Sequence, residues 1–573
     1  MRKIPDTREN PRFVLLSTAW DACFGHRRGR SWFSQLFMAI AAITISACSY
    51  IPGVSDEEEG LDKGTVGYVQ GFFGGVAADE PQAVLIARDV LAAGGTAGDA
   101  AVALYFMLSV TYPSAAGLGG GGICLARDPK TNSIETLDFL SQTSTGKQGV
   151  RVNVPGNPRG FFALHAKYGN LTWAEMIRPA EQAARFGTQI SRAFAKQVEK
   201  APGVFAASAE AREIFNNGQG GVIGEGSLLK QQSLSTLLAR IRSRGGGTIY
   251  SGPFARQFAQ AAQDDGAALT YEDLRSFKPI WRGNIEVPFV NRTALHFLMP
   301  RTQAGTMAAK SMALAIHDKR YAEAEENERG HLVAEVTQRA LVDGGKGFAK
   351  IEREDGETAI QLSGDYIESL MSSYHDDRVV RLVVDKPVQL SVAGRGGETS
   401  FTVVDRKGGV VVCSLTMNGT FGSGRMARGL GVFLANPAGS FAERDLSLGG
   451  FIVISKFRKR FFMAGAASGG AAAQSALAQV ALRAGAGTKD SLETAMARKR
   501  LFRNPATATT EYETGLAQSE LDALRRRGHD LKPVEKIGAV NLAICETGLP
   551  AKIPVCGIRT DPRGFGLATS PGS

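Results

Sequence analysis

The sequence predicts an α+β fold, and three observations carry that class. Two runs near the start, Pro81 to Ala93 and Asp99 to Val110, place apolar residues at helical intervals and stop at Gly94-Gly95 and Tyr112-Pro113. From about residue 155 to 390 helical runs alternate with loops, among them a polar helix predicted from Lys319 to Arg329. The C-terminal part returns to short apolar runs closed around turn residues, the pattern of strands in hairpins. With 573 residues, 43% of them hydrophobic and 21% charged, there is ample chain for a sizeable core.

Taken in order, the elements begin with a leader. Arg27-Arg28-Gly29-Arg30 precedes the apolar run from Trp32 to Ala47, which is too short to span a membrane comfortably and ends in small residues. Residues 1–47 therefore read as a secretory signal. Ile45-Ser46-Ala47-Cys48 matches the bacterial lipobox, which makes Cys48 the expected lipidated first residue of the mature protein; the alternative is a plain signal anchor with an incidental cysteine. Residues 48–63, with Asp56-Glu57-Glu58-Glu59, read as a hydrated acidic tether. After the first two helices, Ile123 to Ala126 and Ile134 to Phe139 form a hairpin around Asp128-Pro129-Lys130-Thr131-Asn132. Gly117, Gly119 and Gly122 formally satisfy G-x-G-x-x-G, but a dinucleotide fold needs a strand before them and a helix after, and the reverse is read here.

Later strands are Thr402 to Asp405 and Val410 to Thr416, joined by Arg406-Lys407-Gly408-Gly409, then Phe451 to Ile454 and Phe461 to Ala464. The basic run Lys456-Phe457-Arg458-Lys459-Arg460 between the last two reads as a solvated hairpin turn and not as a nucleic-acid contact. The net charge of +10 includes +4 from residues 1–47, which hold seven Lys and Arg against three Asp and Glu. Six cysteines show no metal-type spacing, and neither a metal nor another cofactor is expected. Cys124 and Cys413 lie in apolar strand-like runs. Cys545 and Cys556 flank a turn between the strands Val540 to Cys545 and Ile553 to Ile558, as a disulfide or as free buried thiols.

The most informative segment is Gly396-Gly397-Glu398-Thr399-Ser400-Phe401-Thr402-Val403-Val404-Asp405, with Thr416-Met417-Asn418-Gly419-Thr420-Phe421-Gly422-Ser423-Gly424 following. A threonine at the head of a buried strand makes chemical sense if the peptide bond before it breaks. The freed α-amine titrates near neutral pH and can serve as base for its own hydroxyl. Other landmarks are Tyr112-Pro113-Ser114, Gly117 to Gly122, Val154-Pro155-Gly156, Ile249-Tyr250-Ser251-Gly252 and Leu269-Thr270-Tyr271-Glu272-Asp273-Leu274. In this order, these residues resemble the γ-glutamyltransferase family of N-terminal-nucleophile hydrolases, from about Gly67 to the C-terminus.

The resemblance implies a four-layer αββα sandwich of the N-terminal-nucleophile hydrolase type, split by self-cleavage into a large fragment, 64–398, and a small fragment, 399–573. It implies cleavage between Glu398 and Thr399, an acyl-enzyme on Thr399, a Thr416 hydroxyl bonded to the nucleophile, and an oxyanion held by the amides of Gly469 and Gly470. Asn418, Ser440 and Ser447 would touch the acyl donor. The implied substrate is a small-molecule or peptide amide such as glutathione, and the implied place is the periplasmic side of a bacterial envelope with a lipid anchor in the membrane.

The chain also departs from the pattern. Thr399-Ser400-Phe401 is one residue shorter than the usual Thr-x-His, so an ungapped alignment puts Glu398 at the nucleophile's position. Asp138-Phe139-Leu140 has leucine where an arginine would pair with a glutamyl carboxylate, and Gly439-Ser440 replaces the acidic pair that holds the ammonium, with Arg425 or Arg428 available as substitute cations. Three functions are carried forward: a γ-glutamyl amide transferase or hydrolase, an acylase of the same design for a less polar acyl group, and an uncleaved, non-catalytic envelope protein.

Overall fold

Strands that alternate small and branched apolar residues on both faces must be covered on both, and the chain does this with two stacked sheets between helical layers. The computed structural model describes residues 71–569 apart from 202, 300–305, 353–357, 383–389, 391–393, 395, 438–446 and 487–489. The predicted leader, Cys48, the acidic tether and Ser440 lie outside the described residues. Residues 61–573 form one compact unit.

The first sheet has seven strands in the order Leu567–Thr569, Gly74–Ala78, Glu398–Asp405, Val410–Thr416, Gly121–Arg127, Ile134–Asp138 and Ile280–Arg282. Every neighbouring pair in it is antiparallel. The second has eight, in the order Cys556–Arg559, Ala539–Leu549, Phe461–Ser468, Leu448–Ser455, Thr293–Phe297, Asn284–Pro288, Thr358–Leu362 and Phe348–Glu352. Only the pairing of Thr358–Leu362 with Asn284–Pro288 is parallel.

Period-two alternation decides which layer each side chain serves. Along Val410–Thr416, Val411, Cys413 and Leu415 pack outward against the helices Pro81–Ala92 and Ala97–Thr111, while Val410 and Val412 pack inward between the sheets with Leu448, Ile452 and Ala464. On that inner face the Ser414 hydroxyl spans the layers, donating to the carbonyls of Gly449 and Ala467. The helices Met307–Ile316, Glu326–Asp343 and Ala473–Gly485 cover the outer face of the second sheet. Ala97–Thr111 is buried along its whole length and opens on a reciprocal cap between Thr96 and Asp99.

The four layers are those the resemblance implied, and the elements follow the sequence reading with one difference in the middle. The single polar helix expected over 319–329 is broken: a short helix Arg320–Glu323 ends at Ala324, and a new helix, Glu326–Asp343, starts on a capping box between Glu325 and Glu328. Charge density along the run hid the boundary. A helix precedes Gly117 and a strand follows it, as read. Among the described residues no helix is long and apolar enough to cross a membrane.

Candidate functional site

The site forms where Glu398–Asp405, Val410–Thr416 and Phe461–Ser468 reach the same end of the sandwich. Gly397 sets up the first of them: its φ of +71° and the closeness of the Gly419 carbonyl leave no room for a side chain. Glu398 then pairs directly with Thr416, and Thr399 with Leu415. Because successive side chains alternate, Glu398 and Thr416 face the inter-sheet layer while Thr399 faces outward, alongside Leu415 and Phe401. The Glu398 carboxylate takes two backbone hydrogen bonds on one oxygen, from Gly469 N at 3.0 Å and Gly470 N at 2.9 Å. Both glycines have positive φ, 106° and 78°, which turns their amides toward a common point between the strand and the helix Ala473–Gly485.

Thr399 is fully buried, and its hydroxyl donates to Asp79 Oδ2 at 2.8 Å. The same Asp79 oxygen accepts the Ser400 amide at 3.1 Å, and its other oxygen accepts the Asn541 side chain at 2.8 Å. Asn541 also donates to the Ser400 carbonyl at 2.9 Å. Burial pushes the Asp79 carboxyl above the usual carboxylate range, against the pull of its hydrogen bonds from Asn541, Thr399 and Ser400. A carboxylate so placed is a stronger base toward the Thr399 proton than a solvated one.

Structure thus brings Glu398, Thr416, Gly469 and Gly470 together and sets Thr399 on the other face of its strand. Two expected contacts are corrected for the uncut chain. The Thr416 hydroxyl lies by Asn418, accepting its amide at 2.8 Å, and not by Thr399; the amides of Gly469 and Gly470 hold Glu398. Both corrections follow from a one-residue offset, which exchanges the faces of a strand. Asn418 sits at a φ of +53°, and its side-chain amide donates to the Asn436 carbonyl at 3.0 Å, holding the loop closed. Ser447 is buried one residue before Leu448, whose strand partner is Ser468, so it lies beside the Gly469-Gly470 turn.

A model of the gamma-glutamyltranspeptidase family matches residues 83–568. The chain belongs to that family. Curated relatives of this γ-glutamyltranspeptidase-family chain include the glutathione hydrolase proenzyme of Bacillus subtilis strain 168, 26% identical over 533 residues that cover 83% of this chain and 87% of that one. The glutathione hydrolase proenzyme of Pseudomonas aeruginosa is 27% identical over 405 residues, 65% of this chain and 68% of the relative. A cephalosporin acylase from Bacillus halodurans superposes with a TM-score of 0.68 at 20% identity, over 88% of this chain and 96% of that one, and so shares the fold.

The residues that the resemblance tied to an acyl donor can now be placed in this γ-glutamyltranspeptidase-family chain. Leu140 is buried in the inter-sheet core in one cluster with Leu448. The substitute cations are engaged elsewhere: Arg425 donates to the carbonyls of Ala207 and Asp265, and Arg428 lies 3.8 Å from the Asp265 carboxylate. Sequence reasoning missed Asp79 and Asn541, which stand 320 and 141 residues from their Thr399 and Ser400 partners. It also missed the bridge between Cys124 and Cys413, which are register partners on adjacent strands. Cys545 and Cys556 form a second disulfide. Among the described residues His317, Asp318 and Glu368 bring possible metal ligands within 4.8 Å of one another, but they are largely exposed and Arg320 reaches Asp318.

Proposed function

We propose that the chain is an autoprocessing amide-cleaving enzyme of γ-glutamyltransferase type, in which scission between Glu398 and Thr399 makes Thr399 the N-terminal nucleophile. The observation that carries this is the relay Thr399 hydroxyl, Asp79 carboxylate, Asn541 amide, with both links at 2.8 Å, in the order nucleophile, base, orienting group. In the cut, the Thr399 proton passes to Asp79 as Oγ1 attacks the Glu398 carbonyl carbon. The C–N bond to Thr399 breaks, its nitrogen takes a proton, and an ester joins the two residues. Water hydrolyses that ester, leaving a carboxylate on Glu398 and a free amine on Thr399, which then serves as base in turnover.

Once residue 398 is a chain end it is no longer held in register by residue 399. The Gly469 and Gly470 amides are then released for the oxyanion of an acyl-transfer intermediate, a contribution of about 3–4 kcal/mol for such a donor. The relatives' names point to γ-glutamyl amides such as glutathione as donors, accepted by water or an amine. Leu140 favours a less polar acyl group on the same enzyme. Two disulfides suit an oxidising compartment, which supports the periplasmic side of the envelope. Anchoring at Cys48 rests on its lipobox alone.

A second reading has its own observation. Glu398 is the residue paired with Thr416 and held by the Gly469 and Gly470 amides, which is where the ungapped alignment puts the nucleophile. On that reading the chain stays uncut, its amide pair filled by its own carboxylate, and serves as a non-catalytic envelope protein. Intact mass decides between the two, and it must be read after reduction, because the Cys124–Cys413 bridge spans the 398–399 bond. Two fragments meeting at Glu398 and Thr399 establish the enzyme; a single reduced chain establishes the silent relative. For a cut chain, hydrolysis of γ-glutamyl against uncharged acyl anilides identifies the donor.

A further inference from the structure

The site occupies one end of the sandwich, and the opposite end has a character of its own. From Glu398 to Asp405 the strand runs roughly 23 Å at about 3.3 Å per residue, and beyond it lies the turn Arg406 to Gly409. The hairpin tips gather there. Phe461 pairs with Leu549, which sets the 456–460 turn beside the 550–555 turn, and Lys456 N donates to the Arg292 carbonyl at 3.0 Å. Arg127 ties the group from below, donating to the carbonyls of Gly408 and Lys459.

What these tips expose is unusual for turns. Ile553 at 79% and Phe457 at 77% are the most exposed large apolar side chains among the described residues. They are ringed by exposed Lys456, Arg458, Lys552 and Arg292, the last with its guanidinium 5.9 Å from the Phe457 ring centre. Lys407 adds to them; the acids at this end include Asp128, whose oxygens take the Lys130 amide and the Thr131 hydroxyl, Asp405, whose carboxylate takes the Ala97, Lys407 and Gly409 amides, Glu135, which Lys167 meets, and the exposed Glu546. A solvated turn needs neither protruding apolar side chain, and such exposure marks an interaction surface. Gly74, the first residue of its strand, pairs with Asp405, so the segment preceding it joins the sheet at this same end.

We propose that this hairpin end is a docking face for an anionic lipid bilayer, with Phe457 and Ile553 entering the interface, the basic side chains meeting phosphate headgroups, and the site held away from the surface. Exposed apolar tips within a basic ring match a surface that is negatively charged outside and apolar beneath. A chain starting at Leu61 is the test protein, since residues 61–573 form one compact unit and the apolar run 32–47, which would enter a bilayer by itself, is then absent. It is sedimented with vesicles of phosphatidylcholine, with and without phosphatidylglycerol.

Binding is expected only with phosphatidylglycerol, weakening as salt is raised. Lys456→Glu with Arg458→Glu and Lys552→Glu lowers the partition coefficient on the order of a hundredfold. Phe457→Ser with Ile553→Ser lowers it while preserving the salt dependence. If the glutamate variant melts below its parent, glutamine replacements are read in the same way. Equal sedimentation with phosphatidylcholine alone, unchanged binding by both variants, or capture of soluble heparin without vesicle binding would overturn the proposal.

Discussion

Thr399 and Glu398 are neighbours in the chain but leave opposite faces of their strand. The Glu398 carboxylate takes the two glycine amides in the inter-sheet layer, and the Thr399 hydroxyl donates to Asp79, which Asn541 of the second sheet also holds. Replacing the base while keeping its shape isolates its part in scission: Asp79→Asn is expected to slow self-cleavage by roughly 10²–10⁴-fold, the range for a positioned general base. Thr399→Ala abolishes cleavage outright. The time course of fragment appearance on reducing gels measures both, and an Asp79→Asn chain that matured at the parent rate would remove Asp79 from the reaction. Glu398 and Thr399 were both legible in the sequence because they form one motif. Asp79 was not, since no local pattern distinguishes one aspartate before a helix from another, and its partner lies 320 residues on.

Among elements, the loop after Val410–Thr416 shows how a motif residue acts by packing. Phe421 sits at a φ of +62° and its ring meets those of Phe194, Phe205, Phe215 and Phe433 at centroid distances of 4.9 to 5.9 Å. This aromatic cluster pins the loop that carries Asn418 to helices from the proposed large fragment. Phe421→Ala should lower stability by about 3–5 kcal/mol, the usual cost of emptying a buried aromatic site, and should loosen the Asn418 tie to Asn436. Thermal melting reads the first effect; a parent-like melting temperature would mean that the cluster closes over the gap. Helix and strand periodicity was readable for the outer helices and the long hairpins. Where polar residues filled a run, as at 319–329, spacing could not show the break at Ala324.

Across the whole molecule, two features depend on segments that meet only in the folded state. The Cys124–Cys413 bridge closes a loop of 289 residues around the proposed scission point. A cut protein should therefore run as one species without reductant and as two with it, and Cys124→Ala with Cys413→Ala should release the fragments' covalent link and lower stability by about 2–5 kcal/mol. The second feature is a buried histidine pair. His331 Nδ1 lies 2.8 Å from His529 Nε2, and His529 Nδ1 lies 2.8 Å from the Thr510 hydroxyl. Burial lowers both imidazoles, His529 to about 3, with the facing charges of Arg503 and Arg527 adding to it and Glu335 opposing it at His331. Their folded-state values lie below the unfolded value near 6.5. Stability is thus full above pH 6.5 and falls as pH drops toward 3, because the unfolded chain takes up protons that the folded chain refuses. About 2–3 kcal/mol is expected to go between pH 6.5 and 4.5. Melting temperature against pH for the parent and His529→Gln tests this, and identical slopes would rule the pair out. By itself the sequence determined the α+β class through periodicity, and the family, its layered sandwich and the segment in which scission is proposed through a resemblance carried by short motifs, since these depend on residues close together in the chain. Tertiary structure alone decided which face of the strand each motif residue occupies, which aspartate meets Thr399, what fills the glycine amides, and which cysteines pair, because each depends on sheet register between segments hundreds of residues apart.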